Sequence, residues 1–254
     1  MAIIQSEVGR IRLLEDFFTG HYKASEADNT TTWDYYPLGP YKLYGEGILE
    51  VDAGCACSST TLNGLGDLTT TDEDNHCTVI GTGGLCFRAD LNGTIIAETR
   101  LQFVDLDTKE VFFGLQDVDS ATLNLEGTVI HGATTTITLT ASDLCGFLLS
   151  SELTDDEDWH AVYNGGSATG ETVSTNIDLD CDAVVGDFQV LRLEVDPDGT
   201  ARWFVDGVLK KTLAGAVNVD EPVNVVLAIE AKAAECQHVY VDYLLVDANR
   251  DWTV

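Results

Sequence analysis

DFQVLRLEVDPDGTARWFVDGVLKKTL, residues 187–213, reads as three short strands joined by two tight turns. Leu191, Leu193 and Val195 alternate with Arg192 and Glu194, the period of two expected of a strand with one face in a core. In Asp196-Pro197-Asp198-Gly199, proline presets φ at the second turn position and glycine supplies the positive φ that closes the turn. The next run puts Ala201, Trp203 and Val205 on one face and Arg202 and Phe204 on the other. Asp206-Gly207, set between Val205 and Val208, is the two-residue signal of a type I′ hairpin. The stretch therefore predicts a three-strand antiparallel meander.

The order LRLEV, DPDGT, RWFVDGVL resembles the back-sheet hairpin of concanavalin A-like lectins and glucanases, laminin-G-like modules included. Pro222 to Glu230 (PVNVVLAIE) resembles the strand that follows it. Val239 to Asp247 (VYVDYLLVD) resembles the closing V-D-Y-x-x-V strand of that family. The resemblance covers the C-terminal third and implies an all-β fold, a two-sheet antiparallel jelly-roll sandwich. It implies neither sugar binding nor hydrolysis, because one sandwich hosts many functions.

Short runs separated by turn signals continue along most of the chain, in keeping with an all-β sandwich. Thr94–Val104, Glu110–Leu115, Thr135–Thr140, Gly146–Ser150 and Trp159–Tyr163 read as strands, with Ile48–Val51 and Leu85–Arg88 as shorter ones. Residues 52–84 are rich in Gly, Ser, Thr and Asp, and predict loops with one strand near Thr78. A short helix is expected over Ser120–Leu125, where a capping residue opens the run. No repeat of 20–50 residues is visible, so the expected organisation is an N-terminal arm and aromatic loop, 1–47, on a jelly-roll domain, 48–254. The aromatic loop carries Trp33, Tyr35, Tyr36, Tyr41 and Tyr44. Long irregular segments are commonly interactive, and Tyr and Trp make effective contacts, so these five are candidate partner-binding residues. The alternative is an aromatic loop folded over its own domain.

Thirteen basic against 43 acidic residues give a formal net charge of −30. Binding to nucleic acid is excluded on that balance, since its affinity comes from Lys and Arg displacing counterions. Anionic membrane surfaces are disfavoured for the same reason. No run approaches the ~18 apolar residues of a membrane span. Met1-Ala2-Ile3-Ile4-Gln5 lacks a basic leader segment, so synthesis in a cytoplasm is expected. A strongly solvated surface, bound cations or a basic partner would each account for the acidity.

The related glucanases carry an E-x-D-x-x-E strand motif whose carboxylates share one face, as nucleophile and general acid. The nearest match is Asp105-Leu106-Asp107-Thr108-Lys109-Glu110, with Asp in the first position. The apolar runs on either side of it predict a hairpin turn, so no catalytic residues are expected there. Cys55, Cys57, Cys77 and Cys86, near His76, form a candidate zinc set, although their spacing is outside the strong zinc signatures. Simple burial of the thiols is the alternative, and Cys145, Cys181 and Cys236 read as core. Acidic clusters at Asp72–Asp74, Asp117/Asp119, Asp155–Asp158 and Asp178/Asp180/Asp182 lack the calcium-loop pattern. The last triplet reads as the wet face of a strand. No cofactor is expected.

GRIRLLEDF, VFFGLQDVD, WHAV and the DPDGT hairpin together resemble jelly-roll decoration or cement proteins of tailed-bacteriophage heads. That resemblance implies a non-enzymatic structural virion protein on the outer capsid surface, made in the host cytoplasm. It would bind the major capsid protein as a homo-oligomer, a trimer by preference at three-fold positions. A glycan-binding lectin-like module and a divergent, laminarinase-like glycoside hydrolase are the alternatives. For the lectin reading Trp33, Trp159 and Trp203 are candidate stacking surfaces, with Trp203 assigned to the core.

Overall fold

A computed structural model describes residues 3–5, 9–18, 22–23, 36–50, 52–57 and 64–251. The first strands are β1 (Ile3–Gln5), β2 (Arg10–Glu15), β3 (Tyr22–Lys23), β4 (Tyr36–Leu38), β5 (Tyr41–Tyr44), β6 (Gly54–Cys57), β7 (Gly66–Thr69) and β8 (Cys77–Gly81). After a one-turn helix, Ala89–Asn92, come β9 (Ile95–Phe103) and β10 (Lys109–Gln116). A π turn, Leu125–Val129, leads into β11 (Ile130–Ala133) and β12 (Thr136–Leu139). Next are β13 (Leu144–Ser150), β14 (Asp158–Asn164), β15 (Asp178–Asp182), β16 (Phe188–Val195), β17 (Ala201–Val205) and β18 (Val208–Leu213). The last two are β19 (Asn224–Ala231) and β20 (His238–Asn249).

Two antiparallel sheets face one another, as in a jelly roll. One has the order β18-β17-β16-β9-β20-β7-β6-β3, with β2 added to β20 and β1 to β2. The other, eight-stranded, has the order β15-β14-β13-β10-β19-β8-β5-β4. The predicted meander is β16-β17-β18, with Leu193 opposite Trp203. Gly199 closes its first turn at φ 79°, and Asp206 and Gly207, at φ 50° and 76°, form the second. The two expected C-terminal strands are β19 and β20.

The core fills the gap between the sheets. Trp203 reaches from β17 to donate its Nε1–H to the Gly146 carbonyl of β13 at 2.7 Å. In the eight-stranded sheet Phe113 stacks on Phe147 and Phe147 meets Trp159 edge-on, and Trp159 in turn packs against Phe103 of β9. Trp159 is therefore an interior residue, not a stacking surface.

Burial patterns distinguish the two sheets. Strands β9 and β16 alternate buried and half-buried positions, so their outer face meets water. Every residue of β10, β13 and β19 is buried, so both faces of the eight-stranded sheet are covered at its centre.

The structure departs from expectation in several places. Within the expected N-terminal region, 1–47, the described strands β2 and β5 pair with β20 and β8, so these parts of it belong to the two sheets. Of the expected strand Ile48–Val51, residues 48–50 are turn and bend, with Gly45 and Gly47 at φ 123° and 84°, and Val51 lies outside the described residues. Leu85–Arg88 contributes one isolated bridge, Phe87 to Val223. Residues 52–84 supply three strands, β6, β7 and β8, where one was expected. The expected helix near Ser120 is the π turn a few residues later. In the Asp105–Glu110 run, residues 105–108 connect β9 to β10 and Lys109 and Glu110 open β10; this is no hairpin, because those strands belong to different sheets.

Candidate functional site: the roofed face of the eight-stranded sheet

Strand alternation puts Glu110, Phe112 and Gln116 of β10 on the sheet face turned away from the core. Glu230, Ala228 and Asn224 of β19 and Ser150 and Leu148 of β13 share that face, because residues directly opposite in an antiparallel ladder point the same way. Glu110 is directly opposite Glu230. Such a pair has Cβ atoms ~4.5–5.5 Å apart, near the ~5 Å carboxyl spacing of a retaining glycosidase. Both residues are nonetheless fully buried.

A roof covers them, built from the Leu125–Val129 turn and the β11–β12 hairpin. The Leu125 N–H donates to Glu230, and the Glu126 N–H does so at 3.2 Å. Glu110 accepts from the Gly132 N–H at 2.7 Å, and Ser150 Oγ donates to the Gly132 carbonyl at 3.2 Å. A Cβ on Gly132 would come 2.9 Å from Leu153 Cγ, so glycine lets the hairpin lie this close. Lys232 Nζ donates to Glu126 and to Asn75 Oδ1 at 3.0 Å, and lies 3.4 Å from Glu152 and Glu230. His131 Nδ1 is 3.4 Å from Glu110.

Burial, reinforced by the Glu110 charge, pushes the Glu230 carboxyl up to about 7. Burial disfavours the Lys232 charge, yet its bond to Glu126 and the charges of Glu110 and Glu230 hold it above its ordinary range. The bond to Glu110 raises His131. Glu126, His131 and Glu152 place ligand atoms within 4.8 Å of one another. The Lys232 ammonium already bonds Glu126 and approaches Glu152, so it supplies the positive charge this node needs. Both carboxylates of the Glu110–Glu230 pair are taken up by roof amides. The arrangement clamps the roof to the sheet.

The sequence-derived candidates fall elsewhere. Trp33 and Tyr35 lie outside the described residues. Tyr36 is half-buried, whereas Tyr41 and Tyr44 are core residues and are corrected as contact residues. Tyr41 spans the sandwich, its hydroxyl donating toward the Leu13 and Leu244 carbonyls at 3.0 and 3.2 Å. The cysteines form no zinc set. Cys55 and Cys57 lie on β6 in one sheet and Cys77 on β8 in the other, while Cys86 is exposed. Among the described residues, the convergent metal-ligating groups contain no cysteine. Cys145 is core as expected, while Cys181 and Cys236 are only partly buried. The Asp178–Asp182 run is a strand with Asp180 and Asp182 exposed, as read from its alternation.

No family model matches the sequence, and no curated protein matches it. Solved structures do. A protein of unknown function from Shewanella oneidensis MR-1 aligns with TM-score 0.55 and 9% identity over 99% of this chain and 92% of its own. A Bacteroides ovatus mixed-linkage glucan GH16, in complex with its product, aligns with TM-score 0.54 and 9% identity over 92% and 98%. The metal-free carbohydrate recognition domain of Emp46p aligns with TM-score 0.51 and 12% identity over 85% and 92%. At such identities the likeness shows the fold: this is a concanavalin A-like jelly-roll sandwich, an architecture shared by hydrolases and lectins.

Proposed function

We propose that the chain is a non-catalytic structural sandwich, a decoration or cement protein seated on the outer surface of a phage head. The observation that carries this reading is the closed face of the eight-stranded sheet. Its only directly paired glutamates, among the described residues, are buried under the β11–β12 roof and bonded to it. A polysaccharide chain needs an open groove lined by accessible carboxylates, and a roofed face offers none.

Attachment falls instead to the periphery. The edge strands β15 and β18 lie on one flank, where Lys210 Nζ donates to the Asp180 carbonyl at 3.1 Å. Val184, Val185, Val208 and Leu209 are exposed along it, and apolar side chains left in water are the ordinary material of a contact surface. The net charge of −30 selects a basic partner surface, here that of the major capsid protein, and a closed homo-oligomer suits three-fold capsid positions. The test is cosedimentation with undecorated heads, beside a glycan array. Saturable binding to heads that is weakened by Leu209→Lys supports the reading; glycan binding or glucan hydrolysis refutes it.

A further inference from the structure

The turn that follows β5 lies against the imidazole of His76, the last residue of the β7–β8 connection. Gly47, at φ 84°, allows the approach: a Cβ there would come 2.5 Å from His76 Nδ1. Backbone bonds hold the two segments together. The Cys77 N–H donates to the Glu46 carbonyl at 2.9 Å, and the His76 carbonyl accepts from the Ala231 N–H of β19 at 3.0 Å. Ile48 is buried and anchors the turn, which the Glu50 N–H closes on the Gly47 carbonyl at 2.9 Å.

One side of the imidazole is fixed from within: the buried Thr71 sets its Oγ1 2.8 Å from His76 Nδ1. The same oxygen accepts from the Glu73 N–H at 3.3 Å. With Nδ1 engaged, Nε2 faces Glu73 Oε2 at 3.2 Å. Glu50 completes the group: one ligand atom from each of Glu50, Glu73 and His76 lies within 4.8 Å of the others. Glu126, His131 and Glu152 offer the same donor types, but there the Lys232 ammonium bonds Glu126 and approaches Glu152. Among the described residues no Lys or Arg pairs with Glu50 or Glu73; the ion pair of Glu73 is with His76 itself. Two carboxylates that converge without such a partner repel each other unless a cation lies between them.

We propose that Glu50, Glu73 and His76 bind a divalent transition-metal ion of the zinc class, His76 through Nε2. One imidazole nitrogen and two carboxylate oxygens are donors that zinc accepts, and three protein ligands leave a fourth position for water. Thr71 is the outer partner that such an imidazole needs: Nδ1–H donates to its Oγ1, which leaves the Nε2 lone pair to the ion. No cysteine takes part. Bound there, the ion ties the turn after β5 to the β7–β8 connection.

The test is zinc titration of the EDTA-treated full chain by calorimetry, with cobalt(II) absorption as second readout. Glu50→Gln and Glu73→Gln, both at exposed side chains, should keep the fold in EDTA, and each should weaken zinc binding by about tenfold or more, as should His76→Ala. Thr71→Val, which keeps the shape but removes the Nδ1 partner, should cost about tenfold. Asp72→Asn, next to Glu73 but outside the group, should keep the affinity. The first equivalent of cobalt should show no thiolate charge-transfer band, which separates this site from the cysteines. A chain without zinc affinity, affinity that survives both His76→Ala and Glu73→Gln, an equal loss in Asp72→Asn, or a thiolate band at the first equivalent overturns the assignment.

Discussion

Glu230 is the most strained charge of the roofed face. Its folded-state carboxyl lies near 7, above the ~4.3 of an unfolded glutamate, so the folded chain holds this proton more tightly. Stability from that proton is fully present below the unfolded value and is lost as pH rises through about 7. Asp143 and Asp158, each pushed by burial to about 6, act in the same direction. Glu126 is lowered by its bond to Lys232, and its contribution is lost only as pH falls below the ordinary carboxylate range. The melting temperature should therefore fall from pH 5 to pH 8, and Glu230→Gln should flatten that fall. Parallel profiles for the two proteins would contradict this account of the roof. The sequence hides the site because Glu110 and Glu230 meet only through the β10–β19 pairing. Glu110 was visible within a glucanase-like run, but its partner sat in an apolar strand and carried no motif.

The meander β16-β17-β18 was legible because its information is local: alternation, a Pro-Asp-Gly turn and an Asp-Gly turn. Its faces make a sharp test. Trp203 packs between the sheets and bonds the Gly146 carbonyl, so Trp203→Ala should destabilise by about 3–5 kcal/mol in denaturant unfolding. Arg202, one residue away, lies on the wet face and pairs with Glu194 and Asp196. Arg202→Ala should therefore change stability by no more than about 1 kcal/mol. Equal losses at both positions would mean the face assignment is wrong. Strands β6 and β7 were not legible, because GCAC and GDLT have little strand propensity. Their pairing with each other, and that of β7 with β20, holds them. In the same way Gly45 and Gly47, at positive φ, hold residues 46–49 in turns where a strand starting at Ile48 was expected.

At the scale of the whole molecule, charge opposes compaction. The outer face of the ten-stranded sheet softens this with a lattice of ion pairs: Arg10 with Asp247, Arg100 with Asp242, and Arg192 with Glu98 and Glu194. Pairs this exposed contribute up to ~1 kcal/mol each and weaken as salt rises. Set against a net charge of −30, they are outweighed, so sodium chloride should raise the melting temperature as the Debye length shortens from ~10 Å. A melting temperature that falls with salt would give the lattice the larger share. The most direct measurement for the account as a whole is pelleting of the purified chain with undecorated phage heads, run beside insoluble mixed-linkage glucan. The proposed role predicts saturable pelleting with the heads, none with the glucan and no release of reducing sugar. Pelleting with glucan, or its hydrolysis, would contradict it.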